Sequence, residues 1–395
     1  MFSSPMQLLS RLRFIWTVFG CAFLYSAAMS AETLPADGSA LVYFGTYTGA
    51  RSKGIYVSRF DPATGRLTAP ELAAATASPS FLALHPSRRF LYAAGETSVL
   101  EGKRVGAVAA FSVNAKTGRL TFLNRQSSGG VGPCHVAVDQ SGKCLLVANY
   151  GDGTIAALPI QADGALAEPG MVIQHKGSSV NPARQAGPHA HFMTTDPANR
   201  FALACDLGLD QVLVYRLDPA KATLVANDPP FAAVKPGLGP RHLAFHPSGR
   251  FVFLISEMGS TLTTFAYDAK RGALKELQTL STLPKEFAGK SAGAEVAVHP
   301  SGKFVYGSNR GHDSIAVFSF DAKHGQLTCL EYQPTQGKTP RHFALDRTGQ
   351  WLLAENQESD SVVVFRVDTK TGRLSPTGQT ISVGSPVCAV FVPAG

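Results

Sequence analysis
Charge is scarce in this 395-residue chain: Asp, Glu, Lys and Arg together make up 16% of it, against 45% hydrophobic residues. That balance excludes an intrinsically disordered chain and fits a large globular one. The net charge of +8 falls to +6 without Arg11 and Arg13, and the surplus is mild and scattered, so no nucleic-acid partner is expected. Cysteine is sparse as well. Beyond the N-terminal segment there are five, Cys134, Cys144, Cys205, Cys329 and Cys388, with no CxxC spacing and an odd count that cannot all pair. They read as small apolar core residues, with no nucleophilic thiol signalled. No GxSxG elbow is present, which argues against a covalent serine esterase. Long helical periodicity is missing throughout.

What is present begins with a leader. Arg11 and Arg13 precede the apolar run FIWTVFGCAFLY (14–25) and the small-residue stretch SAAMSA (26–31). This is the three-part pattern of a secretory signal peptide over residues 1–31, and the apolar run is short for a membrane span. An exported protein, periplasmic or secreted and without stable membrane insertion after cleavage, is expected. A lipid anchor through Cys21 is the second reading, weakened by bulky Phe19 and by small residues that lie downstream.

The rest of the chain repeats. Strand starts read SPSFLALHPSRRF from Ser78, GPCHVAVDQSGKC from Gly132, GPHAHFMTTDPANRF from Gly187, GPRHLAFHPSGRF from Gly239, AGAEVAVHPSGKF from Ala292 and TPRHFALDRTGQW from Thr339; a truncated copy, SPVCAVFVP, starts at Ser385. The anchors Pro79, Pro133, Pro188, Pro240, Gly293, Pro340 and Pro386 are 54, 55, 52, 53, 47 and 46 residues apart. Each unit holds four short strands, with a recurring turn of the type DAKRGAL or DTKTGRL in which Gly supplies positive φ. Four strands at that period predict an all-β fold, a seven-bladed β-propeller with four antiparallel strands per blade. The seventh copy has one strand, and LVYFGTY (41–47) and GIYVSRFD (54–61) stand unpartnered at the other end. Pairing them closes the ring in a blade shared by both termini, giving one domain over residues 40–394.

Inner strands of all blades start around one channel mouth. Setting His246 opposite Phe251 across the HPSGR turn places Arg241 opposite Ser256, and Glu257 beside Pro240. The same two positions in the other copies hold Ser80 and Phe81, Cys134 and His135, His189 and Ala190, His242 after Arg241, Ala294 and Glu295, Arg341 and His342, Val387 and Cys388, with His191 following in the third copy. The facing ends carry Glu96, Asn149 and Tyr150, Asp206, Glu257, Asn309 and Arg310, Asn356, and Tyr47. Such a ring is either a hydrogen-bonded girdle or a ligand site. A girdle needs pairing, whereas this mouth holds a surplus of cations. His85, His246 and His299 sit in the turns at the opposite end and read as structural; His175 and His324 lack repeat partners and read as surface. The HxH of His189 and His191 fixes no third ligand, so no metal is expected.

GPHAH (187–191), GPRHLAFHPSGRFVFLISE (239–257), VHPSGKFVYGSNRGHDSIAVF (298–318), TPRHFALD (339–346) and GTYT (45–48) resemble the propeller-type lactonases. That family includes bacterial 6-phosphogluconolactonases and fungal carboxy-cis,cis-muconate lactonising enzymes. The resemblance covers nearly all of the chain beyond the leader. It implies a catalytic set of a His, two Arg and a Glu, which fall by motif on His191, Arg241, Glu257 and Arg310.

What the resemblance implies is hydrolysis of a small-molecule sugar lactone without metal or cofactor. Glu257 or His191 would deprotonate water, and Arg241 and Arg310 would hold the oxyanion or a substrate anion. His189, Asp206, His242, Glu295, Asn309, Arg341 and His342 would orient these groups or bind substrate. A monomer is expected. The leader adds that the substrate outside the cytoplasm is an unphosphorylated sugar lactone or another cyclic ester. Two rivals remain at this point: a lactonising or isomerising enzyme of the muconate class, which would share the residues, and a non-catalytic interaction propeller, which would not need them.

Overall fold
The computed structural model describes residues 40–100 and 102–392. The expected signal peptide (1–31) and the last two residues of the expected domain lie outside them. Strands form seven four-stranded antiparallel sheets, one per blade. Blades 1 to 6 span residues 79–127, 133–174, 190–233, 240–281, 292–334 and 340–382. Blade 7 combines Pro386–Val392 as its inner strand with Ala40–Thr46, Gly54–Phe60 and Glu71–Ala75. The ring therefore closes as the sequence predicts, with Leu41 to Thr46 paired to Val392 to Pro386. Gly45 lies at this seam: a Cβ there would stand 2.5 Å from the Pro79 carbonyl oxygen of blade 1.

Blade 4 shows why each copy folds alike. Its strands are Pro240–Phe245, Phe251–Ser256, Thr261–Asp268 and Ala273–Ser281. In the first turn, His246 Nδ1 accepts from the Ser248 backbone N–H at 3.0 Å, so Nε2 carries the proton and donates to Gly302 O of blade 5 at 3.0 Å. His85 and His299 make the same tie to Gly142 and Gly349. These histidines are inter-blade fasteners, as their turn position suggested. In the last turn Gly272 has φ +64°, and a Cβ would meet the Phe201 ring at 2.7 Å, so conformation and close packing both select glycine. The apolar strand residues form seven clusters, each between two neighbouring blades. Between blades 4 and 5, Phe253 and Phe320 meet edge-to-face at 4.8 Å.

The register at the mouth differs from simple hairpin counting. Pro240 pairs with Ser256 and His242 with Ile255, so Arg241 is a β-bulge residue without a direct partner rather than the residue opposite Ser256. Ser80, Cys134, Arg341 and Val387 bulge likewise, and blade 5 bulges over Ala294 and Glu295. In the third copy Ala190, not Pro188, takes the proline position, and the bulge falls on His191. An extra residue in one strand bends it and re-aims its side chain, and among the bulge residues His191, Arg241 and Arg341 carry the polar groups of this end. Because strands alternate in direction, the connections between blades and those between second and third strands also open at this end.

Candidate active site
Glu257 closes the second strand of blade 4, its N–H bonded to Gly239 O at 2.7 Å. Its carboxylate is the hub of the mouth. Oε2 lies 2.7 Å from Arg310 Nη2 and 3.3 Å from Arg241 Nε, and Oε1 lies 2.6 Å from Arg184 Nη2. His191 Nε2 is 4.0 Å from Oε2. Arg241 is held further by Nη1 to Ala294 O at 2.6 Å, and Arg310 by Nη2 to Gly293 O at 3.0 Å. The four residues matched by motif thus converge from blades 3, 4 and 5. Burial alone would raise the Glu257 pKa, but Arg310, Arg241 and the Arg184 bond outweigh it and hold the carboxyl well below the usual carboxylate range. Burial, reinforced by Arg241, drops His191 well below the usual histidine range, so its imidazole is neutral at pH 7. Burial and the neighbouring Arg310 and Arg341 push Arg241 down to about 9, still a cation at neutral pH.

On the far side of the mouth Arg341 lies over the Tyr47 ring at 5.4 Å, and Tyr47 donates its hydroxyl to Glu96 Oε2 at 2.8 Å. His189 stacks on Tyr150 at 4.6 Å and bonds Tyr150 O at 2.7 Å through Nδ1, which places it outside the bulge ring but against it. The mouth therefore carries four guanidiniums, Arg184, Arg241, Arg310 and Arg341, against the carboxylates Glu96 and Glu257.

Below it runs a buried relay. His242 Nδ1 is 2.8 Å from Glu295 Oε2, which is 3.6 Å from His342 Nε2, and His342 Nδ1 is 2.8 Å from Glu355 Oε2. His191 and His242 meet edge-on at 5.1 Å, connecting the relay to the mouth. Burial pushes Glu295 up to about 8 and His342 down to about 3, and it raises Glu355 well above the carboxylate range, with Glu295 adding to the effect. Between Glu96, Arg241, His242, Arg341 and His342 the channel narrows to a cavity of about 10 Å³, room for about one water. A shallow concavity of about 500 Å³ lies elsewhere, among turns at the opposite end beside Asp196 and Ser248, but no such convergence of charge surrounds it.

Asp206 and Asn309 sit differently from the other candidates. Asp206 Oδ1 accepts the N–H groups of His189, Gly208 and Leu209, and Oδ2 bonds His175, whose other nitrogen meets Tyr215 at 3.0 Å. His175 is therefore a buried core group, not a surface one; burial follows from a connection packed over blade 3 that a repeat count does not show. Asn309 is fully buried and exchanges two hydrogen bonds with Thr282 in the connection from the preceding blade, and Asn149 and Asn356 donate likewise to Ser128 O and Thr335 O. Cys134, in the bulge ring, points its Sγ toward backbone carbonyls, and burial raises its thiol pKa, so it is inert. Sequence reasoning missed Arg184, which lies in a connection without counterpart in the other copies, and Glu355, one residue short of the mouth column. Among the described residues, no group of three or more His, Cys, Asp or Glu side chains could hold a metal ion, and no helix is long and apolar enough to cross a membrane.

Comparison with known proteins bears on the fold and the family. The family described as "Lactonase, 7-bladed beta-propeller" matches residues 41–391. A 6-phosphogluconolactonase of Bacillus subtilis is 37% identical over 350 residues, 89% of this chain and 97% of the relative. A 6-phosphogluconolactonase of Formosa agariphila is 32% identical over 309 residues, 77% of this chain and 86% of the relative. The solved structure of a periplasmic gluconolactonase from Pseudomonas aeruginosa superposes with a TM-score of 0.85 at 36% identity, covering 90% of this chain and all of that one. With its seven blades, its bulge ring and a match over almost every described residue, the chain belongs to the seven-bladed β-propeller lactonase family.

Proposed function
We propose that this protein is an exported lactonase that hydrolyses sugar lactones at the channel mouth, with His191, Glu257, Arg241 and Arg310 as its catalytic group. The carrying observation is one carboxylate clasped by three guanidiniums with an imidazole nitrogen 4.0 Å away. Both Glu257 oxygens are engaged by arginines, so a proton arriving there must displace a cation. His191 has no such partner and is the better base. It takes a proton from water as the water oxygen bonds to the lactone carbonyl carbon. Glu257 stabilises the imidazolium, and Arg241 and Arg310 stabilise the oxyanion. Collapse re-forms the carbonyl and breaks the ring C–O bond, and the imidazolium returns its proton to the leaving ring oxygen. The product is the open hydroxy acid.

Arg341 and His189 flank the substrate, and His242, Glu295 and His342 support His191 from below. Asp206 and Asn309 contribute through the backbone segments they hold. The leader pattern and the periplasmic relative support export. The test is release of acid from glucono-1,5-lactone, 6-phosphoglucono-1,5-lactone and muconolactone by the purified protein, beside Arg241→Ala. Wild-type rates no faster than buffer on every lactone would overturn the reading, and full activity in Arg241→Ala would displace the site.

A further inference from the structure
The connection between blades 2 and 3, residues 175–189, is 15 residues long, while the other six blade-to-blade connections run from three to ten. It is firmly anchored. Gln185 is fully buried, and its Nε2 donates to Leu207 O at 2.9 Å and Asp210 Oδ2 at 2.7 Å. Its Oε1 accepts from Asn181 N–H, Asn181 Oδ1 caps Ala183 and Arg184, and Ser179 Oγ donates to Asp210 at 2.6 Å. This turn presents Arg184 over the mouth, where Nη2 reaches Glu257 at 2.6 Å and the Tyr150 hydroxyl at 3.0 Å.

Arg184 differs from the other cations on Glu257. Its side chain is 43% exposed, against 3% for Arg241 and 15% for Arg310. Both of its bonds use Nη2, leaving the N–H groups of Nε and Nη1 unengaged. Glu96 and Glu257 balance two of the four guanidiniums and a transition-state oxyanion a third, so the mouth holds one positive charge more than a neutral lactone requires.

We propose that Arg184 is a specificity-determining residue: its guanidinium takes an anionic substituent, carboxylate or phosphate, on the end of the lactone remote from the ester. The proposal rests on the lactonase reading above. A planar fork with free donors binds either anion bidentately, and the anchored turn pre-positions it. Because the group is partly exposed, solvent moderates the selectivity to roughly tenfold.

The test compares wild type, Arg184→Gln and Arg184→Lys on glucono-1,5-lactone, 6-phosphoglucono-1,5-lactone and glucaro-1,4-lactone, with calorimetric binding of gluconate, 6-phosphogluconate and glucarate. The ratio of kcat/KM for anionic over neutral lactone is expected to fall about tenfold in Arg184→Gln, chiefly through KM, with Arg184→Lys retaining part of it. Product affinities should shift in parallel. A loss confined to the phosphorylated compounds identifies phosphate as the recognised group, and a loss on both anions identifies a general anion site. An unchanged ratio, or an equal fall on all three lactones, overturns the proposal, the latter making Arg184 only a support for Glu257. If wild type hydrolyses none of them, the lactonase reading fails, and Arg184-dependent preference for the anionic products then decides this proposal by itself.

Discussion

Glu257→Gln removes the one negative charge that Arg241, Arg310 and Arg184 share while preserving the shape of the side chain. Arg241 is 2% exposed and Glu257 7%, so Arg241 cannot recover its hydration, whereas Arg184, 43% exposed, can turn to water. Breaking a buried ion pair from one side costs about 3–5 kcal/mol. At about 2.1 cal/mol/K per residue, a propeller of about 350 residues has a melting entropy near 0.7 kcal/mol/K, so that cost lowers Tm by about 4–7 °C. The arginine cluster is then uncompensated and should bind phosphate or sulfate at the mouth more tightly than wild type does. An anion at about 100 times its Kd adds about 2.7 kcal/mol and restores about 4 °C. The assay is differential scanning fluorimetry at low ionic strength with stepwise phosphate, using chloride at matched ionic strength as control. A variant melting within about 1 °C of wild type, or phosphate raising both proteins equally, would refute the clasped-carboxylate account.

Other consequences can be measured on the same preparations. With His191 as the proposed neutral base, kcat/KM should stay level from pH 8 through 6.5 and fall only as pH drops through its depressed pKa. Glu257 raises that pKa, so Glu257→Gln should move the acid limb lower still, whereas disappearance of the limb would make Glu257 the base. Arg241→Lys should lose about 10²–10³-fold in kcat/KM, because an ammonium cannot keep the bond to Ala294 O while reaching the oxyanion; recovery to within about threefold of wild type would remove Arg241 from that role. Glu295, raised to about 8, retains in the native state a proton that the unfolded chain releases from about pH 4.5 upward, so its contribution to stability is lost as pH rises to 8. His242 and His342, lowered by burial, oppose this trend only below about 6.5. Urea midpoints should therefore decline between pH 6.5 and 8 in wild type and stay flatter in Glu295→Gln; equal slopes would argue against the buried-proton picture.

Seven copies of one pattern let the residues of this chain declare most of their places. A hairpin has period two and a fixed turn, so HPSGR and DAKRGAL repeated along the chain specify strands, connections and blade count, and one leftover strand at the C-terminal end with unpartnered strands at the N-terminal end specifies closure. Arg241, Glu257 and Arg310 were legible because repetition turns a scaffold into columns, and chemistry stands out where columns differ. Two kinds of fact escaped that procedure. A bulge adds a residue without changing residue types, so the partner of Ser256 and the place of His191 depend on hydrogen bonds between strands. Contacts between groups far apart in sequence left no pattern either: Arg184 meets Glu257 across 73 positions, and His175 is sealed between Asp206 and Tyr215.

Protonation belongs wholly to the tertiary structure. Glu257 and Glu295 are the same residue type on neighbouring blades, yet one is held ionised by guanidiniums and the other kept protonated by burial. Sequence determined the ring and the residue types that face its mouth, because strand periodicity and turn chemistry are local and repeat. Only the folded chain decided which of them are charged, which are bonded away and which remain free to act, because desolvation and Coulomb interactions depend on distance in space.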